Sequence, residues 1–328
     1  MTGSAAFRGV QGRSSFFHSR GSSVTPTKQF KTYAEQVALL HQRGMTVTDC
    51  ALAEHALAQL NYYRLSGYWY PMRRFDPETG VGLDQFTQGA SFDLVLELYE
   101  FDERLRHACF IELDRIEMAL RAMLGHELGR IDPLIHLDSQ HLGAFARIKH
   151  KDGNRVHDVW TQKYELALRA SKEDFVEHHK RKYGGVLPIW AAVEVMDWGM
   201  LSHLYGMSPN PVRNQIARQC RLSAPQLESW MKSLNIVRNY AAHHARMFNR
   251  VYDIKPKLPN NADLGAVQSC MNRVFGQLTL IQYLHRTLEL SAATMLPEVL
   301  HTYPDNRLVP FTRTGAPQNW DTLTLWQH

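Results

Sequence analysis

The sequence predicts an all-α protein, and three observations support this fold class. Apolar residues recur at helical spacing over long stretches, the longest of which covers residues 92–129. Strand-like alternation of apolar and polar residues is almost absent. Hydrophobic residues make up 44% of the 328 residues and aromatic residues 10%, which is enough for a large core. We therefore predict a helical bundle with an N-terminal helical extension and an irregular C-terminal tail.

The first 30 residues differ from the rest of the chain. Residues 1–30 are rich in Ser, Gly and Thr, show no periodicity, and contain only basic charges, since the first acidic residue is Glu35. This composition is typical of a disordered segment, because it offers little apolar surface to bury. We predict a disordered basic tail.

Residues 31–90 are predicted to form the N-terminal helical and aromatic extension. Thr32 and Glu35 have the spacing of a capping box and start a first helix. A second helix, rich in Ala and Leu, is expected over residues 48–60. The glycines and the proline of residues 76–90 indicate turns and a short hairpin.

The main bundle is predicted over residues 91–290, with an irregular insertion at residues 130–186 that carries one helix. Residues 291–328 are rich in proline and aromatic residues and are expected to pack on the bundle as a tail. Four stretches have the helical periodicity of bundle helices, and they are residues 92–126, 187–206, 227–250 and 263–290.

Residues 227–250 carry the densest pattern of reactive side chains and are predicted to form one amphipathic helix and its exit. One face is apolar and the other polar and basic. Side chains four residues apart lie one above the other on a helix, so Asn239 is predicted to stand one turn from His243, with Arg238 beside them. The polar face comprises Asn235, Asn239, His243, Arg246 and Arg250.

This pattern suits phosphodiester cleavage in RNA without a metal or another cofactor. An imidazole can accept or donate the proton that such a reaction moves, and a guanidinium binds phosphate oxygens. The spacing alone is a weak signal, because the chain has 17 histidines and Arg121 and His126 repeat the spacing. We interpret that second pair as a supporting pair. On spacing alone, a solvated helix face is the alternative for Arg238 and His243.

Two further side chains are candidates for the same site. Glu194 interrupts an otherwise apolar stretch, and a carboxylate there needs a partner, either Arg238 or His243 or some other base. Arg64 lies in the aromatic stretch at residues 61–71, which is expected either to bind RNA bases and phosphates or to pack the second helix onto the bundle.

Other patterns exclude several classes of protein. The four cysteines lie far apart without a C-x-x-C pair, which argues against a zinc site or a disulfide framework and fits a cytoplasmic protein. No apolar run reaches the ~18 residues of a membrane span. Nucleotide-binding glycine loops, nucleophile elbows and metal-ligand spacings are absent as well. The net charge of +5 favours a polyanionic partner.

Four stretches carry a resemblance to a known family. The string RNYAAHH at residues 238–244 resembles the R-N-x-x-x-H signature of HEPN ribonucleases. The wider VRNYAAHHARMFNR is similar to the motif of the Abi-like (AbiD/AbiF-type) abortive-infection proteins of bacteria. Three other stretches resemble the same family in the expected order, and they are NYYRLSGYWYPMR, LPIWAAVEVMDWGMLSHLY and GAPQNWDTLTLW.

The resemblance implies a HEPN-like helical bundle, a homodimer, and a metal-independent endoribonuclease in anti-phage defence. Such an enzyme would be a toxin restrained by an RNA or protein antitoxin. His243 is then the general acid or base, and Arg238 is the cation that stabilises the transition state. The supporting residues would be Asn239, His244 and Glu194, and the RNA-binding residues Arg246, Arg250 and Arg64.

Two alternatives remain open at this point. A non-catalytic protein would hold a structured noncoding RNA through the same basic helix face. A structural helical scaffold would explain the packing but would leave the histidine and arginine face without a role.

Overall fold

The computed structural model of the chain describes residues 27–290 and 292–327. Most of the predicted basic tail of residues 1–30 lies outside the described residues. Within them helices are the main regular structure and the two strands form one hairpin, which confirms the predicted all-α class.

The helices and strands follow one another along the chain, and short 3-10 turns join several of them. Strand β1 (Arg73–Phe75) pairs antiparallel with β2 (Gly82–Phe86) to form the predicted hairpin. The helices are α1 Tyr33–Gln42, α2 Cys50–Leu60, α3 Tyr62–Trp69, α4 Phe92–Gly129, α5 Val156–Ala170, α6 Asp174–Lys182, α7 Ile189–Ala192, α8 Trp198–Met207, α9 Asn210–Gln219, α10 Ala224–Ala242, α11 Ala262–Gly265, α12 Val274–Thr287 and α13 Met295–Leu300.

Helix α4 is the spine of the bundle, as its uninterrupted periodicity predicts. It runs for 38 residues from Phe92 to Gly129. The Ser91 side chain starts it by accepting a hydrogen bond from the Leu94 N–H, and Asp93 lies in the first turn, where the helix dipole favours negative charge. Helices α3, α7, α9, α10, α12 and α13 all contact it.

The apolar core consists of two clusters along this spine. The larger one surrounds α4 from Phe101 onwards and includes Trp320 and Trp326 of the C-terminal segment. The smaller one packs the N-terminal extension onto the first turns of α4. Phe248 also belongs to this smaller cluster, although it lies far away in sequence. The segment that follows α10 therefore connects the two clusters.

Some aromatic side chains of residues 61–71 pack in the core, and others are exposed. Tyr68 and Trp69 are fully buried in the smaller cluster, so the packing interpretation holds for them. Tyr63 and Tyr70 are 69% and 49% exposed and contribute little to the core.

The helix predicted for residues 187–206 is broken, although its expected apolar face is buried. Helix α7 ends at Ala192, and α8 starts only at Trp198. Asp197 causes the second start, because its carboxylate accepts a hydrogen bond from the Met200 N–H at 2.7 Å and so caps a new helix. Residues 156–183 and 263–290 each contain two α-helices as well, but no side-chain cap starts the second helix in either stretch.

Within the insertion, His136 is a buried histidine whose ring lies between aromatic side chains. Its ring packs edge-on against Trp160 and Tyr164 of α5 and is fully shielded from solvent. In the described part of the chain neither ring nitrogen has a hydrogen-bond partner. Burial lowers the pKa of His136 from 6.5 to about 4, and the nearby His157 adds to this.

We expect the free energy of unfolding to fall by about 2 kcal/mol between about pH 7 and pH 5 because of His136. The folded pKa lies below the unfolded value of 6.5. Over this range the unfolded chain therefore binds the proton more readily, and acidification favours unfolding. Urea unfolding at both pH values measures the effect. His136→Phe should remove it, whereas the exposed His178→Phe should not. Equal pH dependence in wild type and His136→Phe would contradict this assignment.

Candidate active site

Helix α10 provides the frame of the site. Ser223 and Gln226 form a capping box at its start. Its apolar face packs against α4, α8, α9 and α12, and the Trp230 indole N–H donates to the Lys257 carbonyl at 2.8 Å. This fixes the helix in the centre of the bundle. The predicted apolar face is buried as expected at Leu227, Trp230, Leu234, Val237 and Ala241. Phe248, predicted on the same face, is also buried but lies beyond the end of the helix.

The helix ends at Ala242, earlier than the sequence predicts. The Ala245 N–H donates to the Tyr240 carbonyl at 2.9 Å and the His244 N–H to the Ala241 carbonyl at 3.4 Å. These are the two hydrogen bonds of a Schellman motif, with His244 in the left-handed position at a φ of 55°. The expectation that the polar helix face continues through Arg246 and Arg250 is therefore wrong.

His244→Gly should raise the free energy of unfolding by about 0.5–1 kcal/mol. A residue with a Cβ pays about 1–2 kcal/mol in the left-handed conformation, and the greater backbone entropy of glycine offsets part of that gain. His243→Gly is the matched control, because φ of His243 is −101° and no strain is relieved there. Urea unfolding should show opposite signs for the two variants, and equal signs would contradict the strain argument.

Arg238 lies on the last turns of α10 with its guanidinium partly exposed. Its Nε is 3.8 Å from Oε2 of Glu117, and the group lies 5.8 Å from the ring centroid of Phe110. Its side chain is 31% exposed. Among the described residues Glu117 is its only ion-pair partner, so the terminal Nη groups are available to an anion.

Glu117 and Arg121 form a buried ion pair beneath Arg238. Nη2 of Arg121 is 2.6 Å from Oε1 of Glu117. The same guanidinium donates to the backbone carbonyls of Glu194 and Met196, both at 2.9 Å. Arg121 thus holds the break between α7 and α8 and is too constrained to bind phosphate, whereas its sequence partner His126 is exposed.

Glu194 does not pair with Arg238 or His243. Its carboxylate is 49% exposed and lies 3.8 Å from Nη1 of Arg121. Arg121 is therefore its partner, which is the alternative that the sequence left open. The 3-10 turn that follows α7 places Glu194 on the surface. Because this carboxylate is partly solvated, it avoids most of the desolvation cost, and Glu194 does not need Arg238 or His243 as a partner.

His243 and His244 are both exposed at the end of α10. The His243 N–H donates to the Asn239 carbonyl at 3.0 Å, which places His243 one turn after Asn239 as predicted. Within the described residues neither imidazole has a hydrogen-bond partner, and the Asn239 side-chain amide has none either. Both rings are therefore accessible to a substrate, and Asn239 does not orient His243 in this state.

Of the three predicted RNA-binding arginines, Arg246 and Arg250 lie in the segment that follows α10, and Arg64 contacts this segment from α3. Nη1 of Arg64, an exposed side chain of α3, donates to the His244 carbonyl at 2.8 Å. Arg250 stacks over the Tyr240 ring at 4.0 Å from its centroid. Arg64 is exposed and Arg250 is half-buried, so both guanidinium groups add positive charge near the end of α10.

Arg246 is partly buried, although its predicted role in RNA binding calls for an exposed side chain. Its Nη1 donates to the Phe248 carbonyl at 2.6 Å. Its stem packs so closely on α3 that a Cβ on Gly67 would meet Nε at 2.7 Å. Burial lowers the pKa of Arg246. The structure thus gives Arg246 a role in holding the segment against α3.

Asp102 of α4 is the anchor of this segment, and the sequence gives no sign of it. Its carboxylate accepts hydrogen bonds from the Phe248 N–H at 2.6 Å and from the Met247 N–H at 3.2 Å. Arg106 and the Tyr68 hydroxyl donate to it at 2.6 Å each. Burial raises the pKa of Asp102, and these partners oppose that shift. At its spacing from Arg106 it resembles an ordinary surface ion pair on a helix.

No group of three or more His, Cys, Asp or Glu side chains among the described residues is arranged to hold a metal ion. No helix in the described ranges has the length and apolar character needed to cross a membrane.

Comparison with known proteins gives one match. A search of curated proteins and a search of solved structures find no similar protein. The family model described as Abi-like protein matches residues 55–249, which is more than half of the chain and includes Arg64, Asp102, Glu117, Arg238 and His243. The chain belongs to the Abi-like protein family.

Proposed function

We propose that this Abi-like protein acts in bacterial defence against phage by abortive infection, as a metal-independent endoribonuclease of the HEPN type. Family membership supports the defence role. One observation supports the chemistry: Arg238, backed by Glu117, presents free Nη groups on the helix whose C-terminal end carries the exposed His243. The resemblance of residues 238–244 to the R-N-x-x-x-H signature links the two side chains to RNA cleavage.

The proposed reaction is attack of a ribose 2′-hydroxyl oxygen on the adjacent phosphorus. The 2′-oxygen to phosphorus bond forms while the bond from phosphorus to the 5′-oxygen breaks. His243 takes the proton from the 2′-hydroxyl or gives one to the departing 5′-oxygen. Arg238 neutralises the charge that develops on the phosphate oxygens. The products are a 2′,3′-cyclic phosphate, which hydrolyses to a 3′-phosphate, and a 5′-hydroxyl.

We also propose that the enzyme is a homodimer in the cytoplasm, where an antitoxin of RNA or protein restrains its toxicity. The reaction uses one proton acceptor and one proton donor, and a chain carries a single R-N-x-x-x-H motif. A two-fold symmetric pair would bring a second His243 to the same substrate.

The test is an RNA cleavage assay of the purified protein in the presence of EDTA, with analysis of the RNA ends. We expect cleavage that EDTA does not inhibit, and products with cyclic or 3′-phosphate and 5′-hydroxyl ends. Absence of cleavage, inhibition by EDTA or 5′-phosphate ends would each contradict the proposal.

A non-catalytic role in holding a noncoding RNA is the second candidate. The positions of Arg64 and Arg250 around the histidines favour it, because both guanidinium groups can bind phosphates without any chemistry. RNA that co-purifies with wild type and with His243→Ala separates the two functions. One discrete RNA on both proteins would favour the binding role. Heterogeneous RNA held only by the variant would favour a nuclease trapped on its substrates.

A further inference from the structure

The face of α3 that lies against the end of α10 carries an aromatic ring that the core does not use. Gly67 and Arg64 of this face contact Arg246 and the His244 carbonyl. Tyr63 lies four residues before Gly67 and hence one turn away on the same face. Its ring is therefore placed at the edge of the surface that bears the two histidines.

Tyr63 is exposed but held in place. Its side chain is 69% exposed, while its N–H donates to the Asn61 side chain at 2.9 Å and its carbonyl accepts from the Ser66 hydroxyl at 2.7 Å. The Tyr62 ring packs edge-on against it with centroids 6.0 Å apart. A large ring on a fixed backbone loses little conformational entropy when a flat ligand covers it.

The charges around the ring match a nucleic acid. Lys28 Nζ lies 6.0 Å from the centroid of the Tyr63 ring, and the exposed Arg64 is its neighbour in sequence. An aromatic face for a base, flanked by cations for the backbone phosphates, is the arrangement that binds single strands. Bases within a duplex are already stacked and do not offer a free face to such a ring.

We propose that Tyr63 is the stacking platform for an unpaired base of the RNA near the bond cleaved at His243, so that the substrate is single-stranded RNA. This inference rests on the proposed ribonuclease function, and it adds a residue that determines substrate class. Arg64 then has two roles: it donates a hydrogen bond from α3 to the His244 carbonyl, and it provides positive charge beside the stacked base.

The test measures binding of a short fluorescein-labelled 2′-O-methyl RNA by fluorescence anisotropy. This probe lacks the 2′-hydroxyl nucleophile and is not cleaved, so the readout does not depend on catalysis. We expect Tyr63→Ala to weaken binding of the single strand by about tenfold, since stacking contributes about 1–3 kcal/mol per base. Tyr63→Phe and Tyr63→Trp should bind like wild type, because both keep an aromatic face.

Tyr183→Ala is the matched control. Tyr183 is also an exposed tyrosine with a lysine above its ring, with Lys182 Nζ 5.4 Å from the centroid, but it lies beyond α6. This variant should bind like wild type. The same sequence closed into a hairpin stem should bind more weakly than the single strand and should not respond to Tyr63→Ala.

The outcomes distinguish this inference from the proposed function. Cleavage of RNA by wild type together with equal binding by Tyr63→Ala and Tyr183→Ala would overturn the stacking role and leave the ribonuclease standing. Failure of wild type both to cleave RNA and to bind the single strand would overturn both proposals, whereas cleavage without binding of the single strand would overturn only the stacking role. Loss of binding in Tyr63→Phe as well as Tyr63→Ala would also contradict stacking, because the ring is retained.

Discussion

His243→Ala is expected to slow RNA cleavage by about 10²–10⁴-fold, the usual contribution of a positioned acid or base. The variant should fold normally, because the exposed imidazole has no hydrogen-bond partner among the described residues. It should also bind RNA almost as wild type does, since Arg238, Arg64 and Arg250 remain. Single-turnover cleavage of a labelled RNA measures the rate, and anisotropy measures the affinity. Expression in bacteria should show that the variant is no longer toxic.

His126→Ala is the control for that experiment. His126 is exposed and follows Arg121 at the same spacing as His243 follows Arg238. Arg121, however, is held by Glu117 and two backbone carbonyls, so this pair has no guanidinium available for a phosphate. We expect full activity from His126→Ala. Similar loss of cleavage in both variants would place the chemistry elsewhere. Loss of affinity in His243→Ala, with strong salt dependence, would favour the binding role.

Local signals account for the parts of the fold that were predictable. The capping box of Thr32 and Glu35 forms as expected, and α4 covers residues 92–129, the full length of its apolar periodicity. In these stretches the helical pattern and the terminal caps agree, so no distant contact is needed to decide the structure. The segment around Asp197 shows the opposite case. There the apolar pattern continues, but a side chain competes for the backbone N–H groups and starts a new helix.

The sequence predicts which residues form the candidate site, and that assignment stays a prediction, but it does not predict the geometry around them. Periodicity placed Arg238 and His243 near one another, yet it also carried the helix on to residue 250. The sequence does not indicate where α10 ends, because the left-handed position after the helix is occupied by His244 and not by the glycine that usually marks it. Likewise, the sequence did not reveal that Glu194 faces Arg121 or that Arg246 packs on α3. These outcomes depend on contacts between distant segments.

Asp102→Ala should lower the free energy of unfolding by about 3–5 kcal/mol, the cost of breaking a buried ion pair. The variant leaves Arg106, whose side chain is 3% exposed, without its carboxylate. It also removes the acceptor for the Tyr68 hydroxyl and for the backbone N–H groups of Met247 and Phe248. Urea unfolding measures the change, and Asp114→Ala, at an exposed position of the same helix, should be nearly neutral.

The double variant Asp102→Leu/Arg106→Met separates the buried charge from the anchoring of the segment after α10. Apolar replacement of both partners removes the uncompensated charge, so much of the stability should return. The N–H groups of Met247 and Phe248 still lack their acceptor, and the segment should remain loosened next to His243. Hydrogen exchange at residues 245–250 should therefore be faster in the double variant than in wild type, even if the two proteins have the same free energy of unfolding. Unchanged exchange there would show that Phe248 packing alone holds the segment.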